Sequence, residues 1–426
     1  MLPTVDEALT RLLAAVERRL PPEEVPLEQA AGRLLAFPLE APRALPPFDR
    51  VAMDGYALRA ADTAGAAPGR PVRLRVAALA RAGHPASRPL GPGEAARVFT
   101  GAALPAGADA VVRQEQAATE GEGFLRLERP LEAGSNVDPA GSEAVPGYPL
   151  LPAGTRLGPA ELGLAANLGL ARLAVRRRPR VILLSTGAEL VEPGARLGPG
   201  QIYSSNRFAL AAMAEAWGAR AESAGIVDDD AEAIALAVRA HIGEADLLVT
   251  SGGASVGDYD CMAAALERLG AERLFHGVAL KPGTPVLAAK LGDGLLLGLP
   301  GTPGAAYTTF RVLAVPLLRV WQGLAEGPGP AAAASLPGVL DEPPRRASER
   351  LEQYLAVRLR WRAGRLHARP LGRLHATSLL AWLGAGALAR VAPGPLPPPG
   401  APVELLPLLP WEAADTPAPG EEVAEG

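Results

Sequence analysis

Cysteine, lysine and asparagine are almost missing from this chain. A single cysteine, Cys261, excludes an intrachain disulfide and any metal centre built from several thiolates. Lys281 and Lys290 are the only lysines, and Asn136, Asn167 and Asn206 the only asparagines. Scarce asparagine and cysteine with many prolines fit both a GC-rich genome and a hot habitat. No apolar run reaches the roughly 18 residues of a membrane helix, so no span is expected. A charge excess is missing too. The net charge of −4 gives no reason to expect nucleic acid or an anionic membrane as partner. The opening MLPTVDEALTRLL carries acids early and no basic leader, so no signal peptide is expected and cytoplasm is the expected location. Scarcity also has a use: a rare residue inside a motif was not put there by composition alone.

What is present describes a globular protein. The 426 residues, 48% hydrophobic and 21% charged, call for two to four domains. Thr4–Val5–Asp6–Glu7 is a capping box, and Val5, Leu9, Leu12 and Val16 follow at helical spacing up to Pro21–Pro22. Residues 23–175 are short apolar runs broken by glycine and proline, such as VRLRVAAL, ARVFTGA, ADAVVRQE and FLRLERPL. They read as strands of one or two small β-rich domains, with one helix at 158–170. After Arg176–Pro179 the pattern changes. RVILLST, AESAGIV, DLLVTS, VLAAK and LLLGL read as strands. Helices are expected after Asn206 as a cap, over DDDAEAIALAVRAHI, over CMAAALERLG and over 303–322. This alternation predicts a doubly wound parallel sheet with helices on both faces. Residues 327–347 read as a linker. YLAVRLRW and LHARPL read as a hairpin and PVELLPL as a last strand, together a small β-barrel-like domain. Residues 411–426, acidic and rich in proline and glycine, read as a disordered tail.

Open α/β sheets bind ligands beyond the carboxyl ends of their strands. There this chain carries Ser185–Thr186–Gly187 with Glu189, then Asp228–Asp229–Asp230, SGGASVGDYD (251–260), KPGTP (281–285) and LPGTPG (299–304). Two readings of the glycine loop stand. One is an anion site on backbone N–H groups and a helix N-terminus, the other a tight turn with a capping acid. Glu189, Asp228, Asp229, Asp230, Asp258 and Asp260 would gather along one edge. A cluster of like charges needs solvent or a cation, and oxygen donors without histidine or cysteine favour Mg²⁺. Asp229 and Asp230 read as solvated helix caps, as does Asp258. Lys281, rare and at a strand end, reads as a partner for an oxyanion. In the N-terminal half, Asp54–Gly55 in PPFDRVAMDGYA reads as a turn. The five histidines show no ligand spacing.

In order along residues 4–408, MDGYA, FTGA-LP-GADAVV, PRVILLSTG-EL, SSN, GIVDDD, TSGG-SVGDYD, KPG-P and GLPG-P resemble the signatures of the molybdopterin molybdenumtransferases, the group that includes the gephyrin E domain. The resemblance implies an enzyme of molybdenum cofactor synthesis. It would insert molybdate into adenylylated molybdopterin and release AMP, using Mg²⁺ as a homodimer. Its partners would be an upstream adenylyltransferase and recipient molybdoenzymes. It implies that Asp54, Thr100, Glu189 and Lys281 act in catalysis. Glu189, Asp228 and Asp260 would hold the metal. Ser251, Gly252, Gly253 and Ser255 would hold phosphates. Pro300 and Pro303 would shape the pocket, and Ser378 would match a serine of the last domain. It also implies a discontinuous N-terminal domain (1–26, 44–54, 139–176), a small β-rich domain (27–43, 55–138), an α/β domain (177–326) and a C-terminal β domain (327–410). The chain departs from the family pattern at Arg50, Val51, Glu143, Ala188, Thr284 and Thr302. Those departures keep open a non-catalytic paralogue that binds the adenylate. A molybdopterin adenylyltransferase is a further alternative, which the extra N-terminal and C-terminal regions disfavour.

Overall fold

The computed structural model describes residues 1–15, 20–121, 123–253, 261–325, 333–371 and 378–410. They form two compact units: a smaller one of residues 24–31 and 35–174, and a larger one of 1–23, 32–34 and 175–426.

The smaller unit is organised by a six-stranded sheet. Its strands are β1 (Gly55–Leu58), β2 (Val72–Ala80), β3 (Glu94–Val98), β4 (Ala110–Arg113), β5 (Ala118–Glu120) and β6 (Phe124–Leu127), in the order β4-β1-β3-β2-β6-β5. Side chains alternate along a strand, so Ala57 and Leu58, Ala96 and Ala95, and Val111 and Val112 enter two different apolar clusters, one on each face. Gly55 is forced by pairing. A Cβ there would stand 1.8 Å from the Val112 carbonyl oxygen. Near the end of this unit the expected helix is α2 (Pro159–Asn167), started by proline in its first turn.

The larger unit begins with α1 (Val5–Ala14). The capping box forms as expected: Glu7 N–H donates to Thr4 Oγ1 at 3.2 Å and Thr4 N–H to Glu7 Oε2 at 2.8 Å. Its apolar face joins the main core. The central sheet comprises β7 (Arg180–Thr186), β8 (Arg220–Val227), β9 (Leu247–Ser251), β10 (Glu272–His276), β12 (Leu287–Leu291) and β13 (Gly294–Leu299), in the order β8-β7-β9-β13-β12-β10. Alternate residues enter opposite cores. Val181, Leu183, Val249 and Leu297 pack with α1, α3 (Asn206–Ala216), α6 (Pro303–Thr309) and α7 (Val315–Trp321). Ile182, Leu248 and Leu296 pack with α4 (Ala231–His241) and α5 (Cys261–Arg268). Each fully covered leucine contributes about 1.5–3 kcal/mol of transfer free energy.

The fold is the multidomain α/β-plus-β arrangement expected, with four local differences. The sheet is mixed: β8, β7, β9 and β13 run parallel, and β12 is reversed, pairing antiparallel with β13 on one side and β10 on the other. Only Gly292–Asp293 join β12 to β13, and so short a link makes a hairpin and no parallel crossover. The helix read over 303–322 contains a wide π turn at Phe310–Ala314. Pro316 follows it and has no N–H to give to the preceding turn. Asn206 is the first residue of α3, not its cap, because its amide is used elsewhere. Finally, the stretch read as a linker holds β14 (Leu336–Leu340).

That strand completes a barrel with β15 (Glu352–Arg362), β16 (Arg365–Pro370), β17 (Ala387–Val391) and β18 (Ala401–Pro407). The order β15-β16-β14-β18-β17 closes through pairing of β17 with β15. The predicted hairpin is β15–β16, turned at Ala363–Gly364 with φ of +46° and +70°. The two-residue strand β11 (Leu280–Lys281) lies alongside β15. The reading of residues 411–426 as a tail lies outside the described residues. No helix among the described residues is long and apolar enough to cross a membrane.

Candidate functional site

Register assembles the main site at the carboxyl edge of the parallel strands. Ser185 of β7 lies beside Ser251 of β9, Ser251 beside Leu299 of β13, and Thr186 beside Val227 of β8. Gly187–Glu189, Asp228–Asp230, Gly252–Gly253 and Pro300–Pro303 therefore leave the sheet side by side.

These strand ends meet through backbone. Gly252 and Gly253 have φ of +104° and +68°. A Cβ on Gly252 would stand 2.2 Å from the Thr186 carbonyl oxygen. One on Gly253 would stand 3.0 Å from Thr186 Oγ1 and 3.3 Å from Asp229 Oδ1. Only glycine allows this approach. The Gly252 N–H donates to Leu299 O at 3.1 Å, so it extends the sheet ladder and its role here is shape.

A buried polar network fixes the edge. Asn206 Nδ2 donates to Ser251 Oγ (2.7 Å) and to Gly301 O (2.8 Å), tying β9 to the turn before α6. Ser185 Oγ and Ser204 Oγ are 2.9 Å apart. Sequence reasoning missed both ties. The rarity of asparagine was the one signal that pointed at Asn206. Three further buried oxygens, Thr186 Oγ1, Thr250 Oγ1 and Asn206 Oδ1, have no hydrogen-bond partner among the described residues. An unsatisfied buried polar group costs about 1–3 kcal/mol.

The carboxylates divide. Glu189 and Asp228 are exposed at this edge. Asp230 caps α4, accepting from Glu232 N–H (3.0 Å) and Ala233 N–H (2.9 Å), as expected of a cap. Ser255, Asp258 and Asp260 lie outside the described residues. Among the described residues no three histidine, cysteine or acidic side chains converge as a metal site. The donors at this edge are all hard oxygens, which suits Mg²⁺, and two of the three expected ligands, Glu189 and Asp228, follow β7 and β8, the strands on one side of the glycine cradle.

Lys281 stands away from that edge in the sheet topology, opposite Gln353 of β15, with its side chain exposed. The turn after it rests on α6: a Cβ on Gly283 would lie 2.3 Å from Thr309 Cγ2 and 3.4 Å from Ala305 O. Pro303 opens that same helix, so the KPGTP and LPGTP turns share one support. Thr284 Oγ1 donates to Leu280 O at 2.7 Å and closes the first of them. Ser378 is half-buried in the connection between β16 and β17.

In the smaller unit, Asp54 precedes β1 and Thr100 follows β3. These strands pair with Gly55 opposite Val98, which brings the two together. Asp54 Oδ1 accepts both the Thr100 N–H (2.8 Å) and the Thr100 hydroxyl (2.7 Å). The Thr100 backbone N–H, then its hydroxyl and more weakly the Arg97 charge, hold the Asp54 carboxyl below its ordinary range. Two departures from the family pattern meet nearby. Arg50 Nη2 is 2.9 Å from Asp138 and 3.6 Å from Glu143, so the unusual base and the unusual acid face each other.

Residues 3–169 match the family profile of the MoeA N-terminal region (domains I and II), and residues 182–320 that of a probable molybdopterin binding domain. The chain is 39% identical over 320 residues to a molybdopterin molybdenumtransferase of Bacillus subtilis, covering 74% of each chain. The chain belongs to the MoeA family of molybdopterin molybdenumtransferases. To molybdopterin molybdenumtransferase 2 of Mycobacterium tuberculosis it is 38% identical over 338 residues, covering 78% of this chain and 83% of the relative. The crystal structure of the molybdopterin biosynthesis MoeA protein from Pyrococcus horikosii superposes with a TM-score of 0.83 at 32% identity, over 96% of this chain and all of that one. Family membership places the chain among transferases of molybdenum cofactor biosynthesis, and the fold is the MoeA fold.

Proposed function

We propose that this chain inserts molybdate into adenylylated molybdopterin and releases AMP. The observation that carries the reading is the Gly252–Gly253 cradle pressed against Thr186, at the strand edge of a chain in this family. In this reading Ser251, Gly253 and Ser255 hold the phosphates of the adenylate, and Gly252 lets them approach. Pro300 and Pro303 stiffen the pocket wall, and Ser378 contributes from the barrel. Lys281 offsets negative charge on the departing AMP phosphate. Glu189, Asp228 and Asp260 would hold Mg²⁺, which when bound screens phosphate charge. Asp54, kept ionised by Thr100, orients or takes up a proton from the group that attacks or receives the metal oxyanion.

The rest of the reading is a cytoplasmic homodimer, supplied by an adenylyltransferase and serving recipient molybdoenzymes. The domain division at residues 1–26/44–54/139–176, 27–43/55–138, 177–326 and 327–410 goes with it. The test is direct. Purified protein, adenylylated molybdopterin, molybdate and Mg²⁺ should yield AMP and metal-loaded cofactor. Tight binding of the adenylate with no metal-dependent AMP release would replace the enzyme by a carrier.

A further inference from the structure

One arginine joins the strands that carry Asp54 and Thr100. Arg97 on β3 stands directly opposite Tyr56 on β1, so both side chains leave the same face of the sheet. Phe99, further along the same chain, stacks on it as well. The Arg97 guanidinium lies 5.0 Å from the Tyr56 ring centroid and 4.9 Å from that of Phe99. Its Nη1 donates to Gly55 O at 3.0 Å and its Nη2 to Gln114 Oε1 at 2.8 Å. Each of these partners borders the pair. Gly55 follows Asp54, and Phe99 precedes Thr100. The Gln114 N–H donates to the Asp54 carbonyl oxygen at 3.1 Å. Arg97 therefore fastens the backbone on both sides of the point where the Asp54 carboxylate takes its bonds from Thr100. An arginine that merely covered an apolar face would need none of these fixed acceptors. Lysine does not reproduce the clamp, because a point charge lacks the planar fork that stacks on rings while serving separate acceptors.

The charges that face Asp54 are Arg97 on β3 and Glu115 in the turn after β4. Gln114 stands between them, accepting from Arg97 and hydrogen-bonded to Glu115. Arg113, at the end of β4, donates instead to Asn136 Oδ1 at 3.3 Å. We propose, resting on the reading in which Asp54 acts in AMP release, that Arg97 is a positioning residue for that reaction. Clamped by Gly55 O and Gln114 and stacked on Tyr56 and Phe99, it fixes the direction of the Asp54 carboxylate and does not itself touch substrate. Misplacing a reacting group by about 1 Å costs on the order of 10²-fold in rate, so such a clamp has a measurable effect.

The test compares Arg97→Gln, Arg97→Lys and Gln114→Ala in the full chain, with adenylylated molybdopterin, molybdate and Mg²⁺. Arg97→Gln should lower kcat roughly 10–10²-fold while KM for the adenylate stays within about twofold. The acid limb of its rate profile should move to higher pH, since without the cation Asp54 takes up its proton earlier as pH falls. Arg97→Lys keeps the charge and loses the fork, so its limb should stay in place while kcat remains depressed. Gln114→Ala removes one jaw of the clamp. It should give a smaller fall in kcat, and it serves if Arg97→Gln does not fold. An NMR titration of the Asp54 carboxyl, its signal identified by loss in Asp54→Asn, reads the same shift without substrate. If the wild-type chain releases no AMP, the proposed activity falls, and this titration still decides whether Arg97 governs Asp54. Identical Asp54 titrations in wild type and Arg97→Gln would overturn the proposal. So would full kcat in Arg97→Gln, or a raised KM with unchanged kcat, which would make Arg97 a substrate contact.

Discussion

The carboxyl edge of the larger unit and the Asp54–Thr100 pair of the smaller unit serve one proposed chemistry by opposite means. The edge is made by leaving side chains out: Gly252 and Gly253 exist so that β9 can close on Thr186. Its Ser251 hydroxyl is buried and tied to the Gly301 carbonyl before α6 through the Asn206 amide. The Asp54–Thr100 pair is made by one carboxylate oxygen and two donors on a partly open surface. The first arrangement couples function to folding. The second can be altered without disturbing the sheet that carries it.

Four experiments press on that contrast. The largest effect belongs to Asp54→Ala, which should lower AMP release by roughly 10²–10⁴-fold while the thermal midpoint stays within about 2 °C. A parallel fall in stability would erase the distinction between the two regions. Next comes Gly252→Ala. A left-handed φ and a backbone clash should cost about 2–4 kcal/mol of unfolding free energy, read by urea titration, with turnover lost alongside. A variant of full stability would show that the strand ends can part. Asn206→Ala should cost about 1–3 kcal/mol, because Ser251 Oγ and Gly301 O lose a shared buried donor.

The smallest effect is on pH. The depressed Asp54 carboxyl keeps its charge as pH falls, so activity should drop only when pH passes through that lowered value. Thr100→Val removes the hydroxyl donor and leaves the N–H. The acid limb of the rate profile should then move to higher pH, toward the ordinary carboxylate range. A limb that stays in place would mean that another group titrates there.

Much of this molecule is readable locally. Apolar periods located nearly every strand and helix of the larger unit, and glycine, proline and acidic residues marked the ends where a ligand would sit. The Thr4–Glu7 capping box, the β15–β16 hairpin and the cap at Asp230 formed as read, because each is closed by residues within a few positions of one another. The errors share a cause. Asn206 looked like a cap because a cap is the nearest use of such a side chain, yet its partners are 45 and 95 residues away. Leu336–Leu340 looked like linker because glycine and proline break its pattern, and only β16 and β18 on either side make it a strand.

The sequence by itself therefore determined most of the elements, the family and the list of residues at the strand ends. Burial periodicity and turn chemistry are properties of neighbours in the chain. Tertiary structure alone decided that the sheet is mixed, that the barrel closes, that Arg50 meets Glu143 and that Gly252 shapes the cradle with its N–H already given to Leu299. Each depends on which distant backbones come within hydrogen-bonding distance. That choice is made by packing the two faces of a sheet together, and no short stretch of sequence carries it.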